Sequence, residues 1–190
     1  MATPLLRLAL AGASLLLSTA AHAVPDVYPT PGMEAPVSSF VATSSGQVVA
    51  YYTGAIGGLT NLVGLRLNGV DGPVGLSNQA SAYGDSLVLG NVSAGDTLVF
   101  FIAIDGGTER YYSDPSLNTD AFNHAWAAAY AGDADVPAGT NIAFEDLAGG
   151  GDRNYFDHSF VYQITAVPEP ASWALLLGGA AALAARRRSR

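Results

Sequence analysis

The chain has 190 residues, no cysteine, three histidines and sixteen acids against eight basic residues, every one of them arginine. Residues 24–167 hold fifteen of the acids but only Arg66, Arg110 and Arg153, a net charge of −12. Such a body repels nucleic-acid phosphates and anionic membranes and attracts cations, and with no cysteine no disulfide can staple it.

Arg7 is followed by an apolar run from Leu8 to Leu17, and Ala21-His22-Ala23 then supplies the small-x-small pattern that signal peptidase cleaves. A run of about ten apolar residues fits the core of a signal peptide better than a bilayer span. Residues 1–23 are therefore read as a signal peptide, with Ala21 and Ala23 marking its cleavage site. Residues 24–36, proline-rich in "VPDVYPTPG", are expected to be a loose lead-in.

Residues 37–166 are the size of one ordinary domain with its own core. Short apolar segments rich in Val, Ile, Phe, Tyr and Thr recur along it: "SSFVAT", "QVVAYYTG", "LVGLRLNG", "SLVLG", "TLVFFIAID" and "SFVYQIT". Asn68-Gly69, Asp71-Gly72-Pro73, Gly95-Asp96 and Asp105-Gly106-Gly107 punctuate them as turns. The pattern predicts an all-β fold, a jelly-roll-like β-sandwich, with Thr97–Asp105 as a central strand buried on both faces. One short helix is expected over Asp120–Tyr130, where alanines favour helix and Asp120 stands at the start as a cap.

The stretch "FEDLAGGGDRNYFDH", residues 144–158, gathers Glu145, Asp146, Asp152, Asn154 and Asp157 with Arg153 as the lone cation. Carboxylates so close repel one another unless water or a hard cation intervenes, and Ca²⁺ takes six to eight oxygens of this kind. The spacing is not an EF-hand loop. Two readings stand together: a calcium loop with those five residues as ligands, or an acidic, glycine-rich turn without an ion.

Asp114, Asn118 and Asp120 either complete the ion's shell or form a proline-containing turn ahead of the helix. His124 and His158 share no metal-ligand spacing and are expected at the surface or half-buried. Tyr111, Tyr112, Trp126 and Tyr155 serve either as core aromatics or as a platform for sugar rings. No nucleophile elbow, zinc-protease motif, P-loop or cysteine nucleophile is present, so the body is read as non-enzymatic.

At the C-terminus Pro168-Glu169-Pro170 precedes an uncharged run, Ala171–Ala185, that abuts Arg186, Arg187, Arg188 and Arg190. Two prolines keep the motif extended and accessible. The arginines hold their end in the cytoplasm, so the apolar run, at about 22 Å, would span a thinned bilayer transiently as a transmembrane sorting helix.

This tripartite tail, residues 167–190, resembles the PEP-CTERM sorting signal of exported bacterial proteins. That resemblance implies processing by an exosortase, an inner-membrane-anchored intermediate, and release to the cell surface or extracellular matrix. From about Leu98 to Ile164 the body resembles a domain of unknown function common in secreted bacterial proteins, whose signature reads F-E-D-L, a glycine-rich gap, then D-R-D-[YF]-N-D. Phe144, Glu145, Asp146, Leu147, Gly150, Asp152, Arg153, Tyr155 and Asp157 match it, whereas Asn154 and Phe156 depart, Phe156 offering no oxygen to a cation. The expected function is a structural protein of the exopolysaccharide layer stabilised by Ca²⁺; the alternative is a calcium-dependent carbohydrate-binding module. Its expected partners are signal peptidase and exosortase in export and extracellular polysaccharide afterwards, with no nucleic acid.

Overall fold

The computed structural model describes residues 27–166; the signal peptide expected over 1–23 and the sorting tail expected over 167–190 lie outside the described residues. Along the chain run β1 (Phe40–Val41), β2 (Gly46–Gly54), β3 (Asn61–Leu67), β4 (Val70–Ser77), β5 (Ser86–Val92), β6 (Thr97–Ile104), β7 (Glu109–Tyr112), β8 (Ala125–Tyr130), β9 (Gly139–Phe144) and β10 (His158–Thr165). They build two antiparallel five-stranded sheets. One is ordered β1-β6-β3-β4, with β7 also paired to β6; the other is ordered β5-β2-β10-β9-β8.

Alternation along the strands explains how the sheets meet. Leu98, Phe100, Ile102 and Ile104 of β6 enter a core shared with Val48 and Ala50 of β2, Ile142 and Phe144 of β9, and Phe160 of β10. Phe100 lies 5.6 Å from Phe160 and 4.5 Å from Tyr162, ring centre to ring centre, so the two sheets face each other across these aromatics. Each such fully buried ring contributes about 2–3 kcal/mol.

The other face of β6 is buried as well, as expected for a central strand: Phe101 and Ala103 are both fully covered. Phe101 can lie flat across β3 because residue 64 is glycine, where an added Cβ would sit 2.2 Å from the ring. The β3–β4 hairpin closes through Asn68 (φ 51°) and Gly69 (φ 81°), with Leu67 paired to Val70. Two successive left-handed residues match the twist of the strands they join.

The helix expected over Asp120–Tyr130 is absent: Asp120–Asn123 form a turn and irregular chain, and Ala125–Tyr130 are β8, paired residue for residue with β9. The helix would have been short and marginal alone, whereas the strand pairs its backbone with β9 and lets Ala125 enter the core while Trp126 packs outside the sheet. The described helical pieces are two three-residue 3₁₀ turns, Pro115–Leu117 and Ala148–Gly150.

The lead-in, expected to be loose, is docked where it is described. Tyr28 and Ala35 are buried with Tyr155 and Ala143 on the outer side of the second sheet, flanked by Trp126 and Phe122. Tyr28 meets Tyr155 edge-on at 4.9 Å and Trp126 at 5.6 Å, contacts between residues too far apart in sequence to leave a local signal.

Candidate functional site

Strands β9 and β10 are antiparallel neighbours, with His158 opposite Phe144. That register sets the beginning of their connection, Glu145-Asp146, beside its end, Asp157. The Asp157 N–H donates to the Phe144 carbonyl (3.0 Å), and the Asp146 N–H donates to Asp157 Oδ2 (3.1 Å). Glu145 and Asp146 are buried, at 1% and 5% exposure, even though both are acids.

Asp157's carboxyl interacts directly with those of Glu145 and Asp146. Burial, reinforced by neighbouring acids, pushes Glu145 up to about 8 and Asp157 up to about 6, against a backbone hydrogen bond that pulls each the other way. Glu145 Oε1 accepts from the Tyr155 N–H at 2.7 Å. Gly151, at φ 45°, passes so close that an added Cβ would lie 3.0 Å from Glu145 Oε2.

Two asparagines that sequence reasoning missed clamp the group from the other side of the fold. Asn61 Nδ2 donates to Asp146 Oδ2 (2.7 Å) and to the Asp157 carbonyl (3.4 Å), and Asn78 Nδ2 donates to the same carbonyl (3.1 Å). Asn61 is fully buried, and its Oδ1 has no hydrogen-bond partner. No sequence signal distinguishes these two from ordinary turn-flanking asparagines.

Of the five proposed ligands, the structure thus brings together Glu145, Asp146 and Asp157. Asp152 and Asn154 are spent on the turn: Asn154 donates from its backbone to Asp152 Oδ1 (3.1 Å) and from Nδ2 to Oδ2 (2.8 Å), while Asn154 Oδ1 accepts from the Phe156 N–H (2.8 Å). Among the described residues, no group of three or more acidic or histidine side chains is placed to hold a metal ion.

The neighbouring loop does not complete the shell. Asp114 caps the first 3₁₀ turn by accepting from the Ser116 N–H (3.0 Å) and hydroxyl (2.7 Å). Asn118 is buried and bridges Tyr112 and Phe122 through their backbones. Asp120 accepts from the Phe122 and Gly149 N–H groups and faces His124 Nε2 at 3.0 Å, thereby tying the acidic loop to the segment before β8.

Both histidines, expected at the surface or half-buried, are fully buried. His124 stacks on Tyr111 with centroids 3.6 Å apart and donates from Nδ1 to the Glu145 carbonyl (2.9 Å). His158 faces Tyr52 and Phe160 with both ring nitrogens unbonded, and burial holds its imidazole far down, at about 3, the Asn61 backbone opposing this only in part. Their positions follow from strand register and long-range stacking, to which residue type gives no clue. Tyr111 and Tyr155 are buried and Tyr112 and Trp126 half-buried, so the acidic loop displays no open tyrosine platform.

Two family models match the chain. A domain of unknown function (DUF4114) covers residues 92–165, from the last residue of β5 to the last of β10, which includes the whole acidic loop and leaves β1–β4 outside. The PEP-CTERM protein-sorting motif covers residues 166–188 and starts directly after β10. No curated protein and no solved structure matches.

Proposed function

We propose that this chain, which carries a PEP-CTERM sorting motif behind a DUF4114 domain, is exported and processed by an exosortase, and that its body is a structural module of the exopolysaccharide layer locked by Ca²⁺. The β-sandwich supplies a rigid unit, and the ion fastens the β9–β10 loop. The body has no catalytic role in this reading.

The observation that carries the lock is the half-buried Asp157 set beside the buried Glu145 and Asp146, with none of the guanidiniums of the described residues paired to them. Arg66 and Arg110 are both engaged by Asp71, and Arg153 lies over the Phe122 ring at 5.1 Å. Uncompensated buried carboxylates are costly, and a divalent cation that binds them only in the native state stabilises the fold. Glu145, Asp146 and Asp157 would hold the ion, and the unspent Asn61 Oδ1 adds a buried oxygen at the same place.

A structural role is favoured over calcium-dependent sugar binding because the aromatics nearest the loop are used inside the protein. Tyr155 packs on Tyr28 and Tyr111 on His124. The test is the double substitution Glu145→Gln with Asp157→Asn, followed by thermal melting at pH 8 in chelator and in millimolar Ca²⁺. The variant should melt at or above the wild type in chelator, because a buried repulsion is gone, and should not respond to Ca²⁺. An equal calcium response in variant and wild type would remove the ion from this loop.

A further inference from the structure

On the outer face of the first sheet, away from the acidic loop, two of the body's three arginines converge on a single carboxylate. Arg66 of β3 reaches Asp71 Oδ1 at 2.6 Å, Arg110 of β7 binds Asp71 Oδ2, and the Tyr112 hydroxyl donates to Oδ2 at 2.8 Å. The guanidiniums are held flat by rings: Arg110 lies 5.0 Å over Phe101, and Arg66 lies 5.7 Å over Tyr112. Gly64 is what lets Phe101 lie beneath them.

Asp71 cannot saturate this pair. Each guanidinium has five N–H donors, and each donates to Asp71 through Nη1. The side chains remain 27% and 33% exposed, so solvent reaches both. The three charges sum to one positive charge on a body that is otherwise strongly acidic. Next to Arg66 a recess of about 390 Å³ extends between the β3–β4 and β5–β6 turns, lined by Asn68, Thr97 and Val99, with Asp96 on its wall.

We propose that this face binds a uronate-bearing polysaccharide, the sugar carboxylate taken by the Arg66–Arg110 pair and a ring laid beside Tyr112 and into the adjoining recess. Fixed guanidinium forks recognise carboxylates bidentately and lose little freedom in doing so. Asp96 repels a carboxylate placed deep in the recess, so the acid group stays at the arginines and the neutral part of the sugar enters. Neutral glycans forgo the charge contact. The site requires no cation and does not rest on the calcium reading.

The test is affinity electrophoresis of the purified full-length protein, in detergent and chelator, through gels containing polygalacturonate or neutral dextran. Polygalacturonate should retard the protein and dextran should not. Arg66→Gln with Arg110→Gln should weaken retardation at least tenfold. Because that pair of changes strands Asp71, Arg110→Lys and Tyr112→Ala serve as milder variants, each expected to lose most of the binding while keeping the wild-type circular dichroism. Absence of retardation, equal retardation by dextran, unchanged binding in the folded variants, or equally strong competition by polyglutamate would each overturn the assignment.

Discussion

In chelator, the protein should lose about 2 kcal/mol of stability between pH 6.5 and pH 8. Burial pushes Glu145 up to about 8 in the folded protein against its ordinary value of 4.5, so across this interval the native state keeps a proton that the unfolded state has lost. A raised carboxyl pKa contributes stability that is complete below the unfolded value and drains away as pH climbs through the folded one. Over about 1.5 pH units, one such proton corresponds to about 2 kcal/mol. Asp157, raised to about 6, has largely finished titrating by pH 6.5.

Below pH 6.5 His158 works against this decline. Burial holds His158 at about 3 in the folded protein against 6.5 unfolded, so between those limits the unfolded chain binds an extra proton, which offsets the Glu145 effect while the Asp157 proton keeps the net slope downward up to about pH 6. The lowered carboxylates Asp71, Asp120 and Asp133 act only below their ordinary value of 3.8. The stability maximum in chelator therefore falls near pH 4, and above it stability declines, with a shallow stretch around pH 6 where His158 and Glu145 offset each other and a renewed fall above pH 6.5. Urea unfolding at half-unit pH intervals reads the profile, and a flat line from 6.5 to 8 would contradict the buried carboxyl cluster. Millimolar Ca²⁺ should reverse the decline, because the ion binds ionised carboxylates and its advantage grows as they deprotonate.

The second large effect belongs to Tyr155. Its hydroxyl accepts from the Ala35 N–H (2.8 Å) and donates to the Asn123 carbonyl (2.9 Å), and its ring is 1% exposed. Tyr155→Phe keeps the packing but strands two buried backbone groups, at a cost of about 2–4 kcal/mol. The lead-in should suffer first: Ala35 loses its tie to the loop, and residues 27–36 should become cleavable by a nonspecific protease under conditions where the wild-type segment resists. Unfolding in denaturant gives the magnitude, and proteolysis followed by mass spectrometry gives the place. A variant as stable and as resistant as the wild type would show that the hydroxyl contacts carry no weight.

Much of the sheet framework is legible in the sequence because it rests on local rules. Short apolar segments rich in Val, Ile, Phe, Tyr and Thr mark β2, β3, β6 and β10, and Asn68-Gly69 marks its hairpin. Strand β4, "VDGPVGLS", escaped because an edge strand tolerates Pro73 and glycines and needs few apolar residues. Strand β8 escaped because alanine's helix preference is weak beside pairing to β9. At the acidic site, sequence proximity singled out five oxygen-bearing residues but not which of them turn inward. That choice is made by the β9–β10 register, which carries Glu145, Asp146 and Asp157 inward and leaves Asp152 and Asn154 to the turn. Asn61 and Asn78 join through contacts that span much of the chain, and no local pattern announces them.

The central claim, a cation-locked surface module, is tested most directly by melting the purified wild-type protein at pH 8 in chelator and in millimolar Ca²⁺, with Mg²⁺ as the control for general ionic effects. An ion that binds the folded loop alone must raise the melting temperature, so a rise of several degrees with Ca²⁺ and little with Mg²⁺ is the predicted result. Identical melting in all three solutions would contradict the lock and leave the buried carboxyl groups sharing protons in its place.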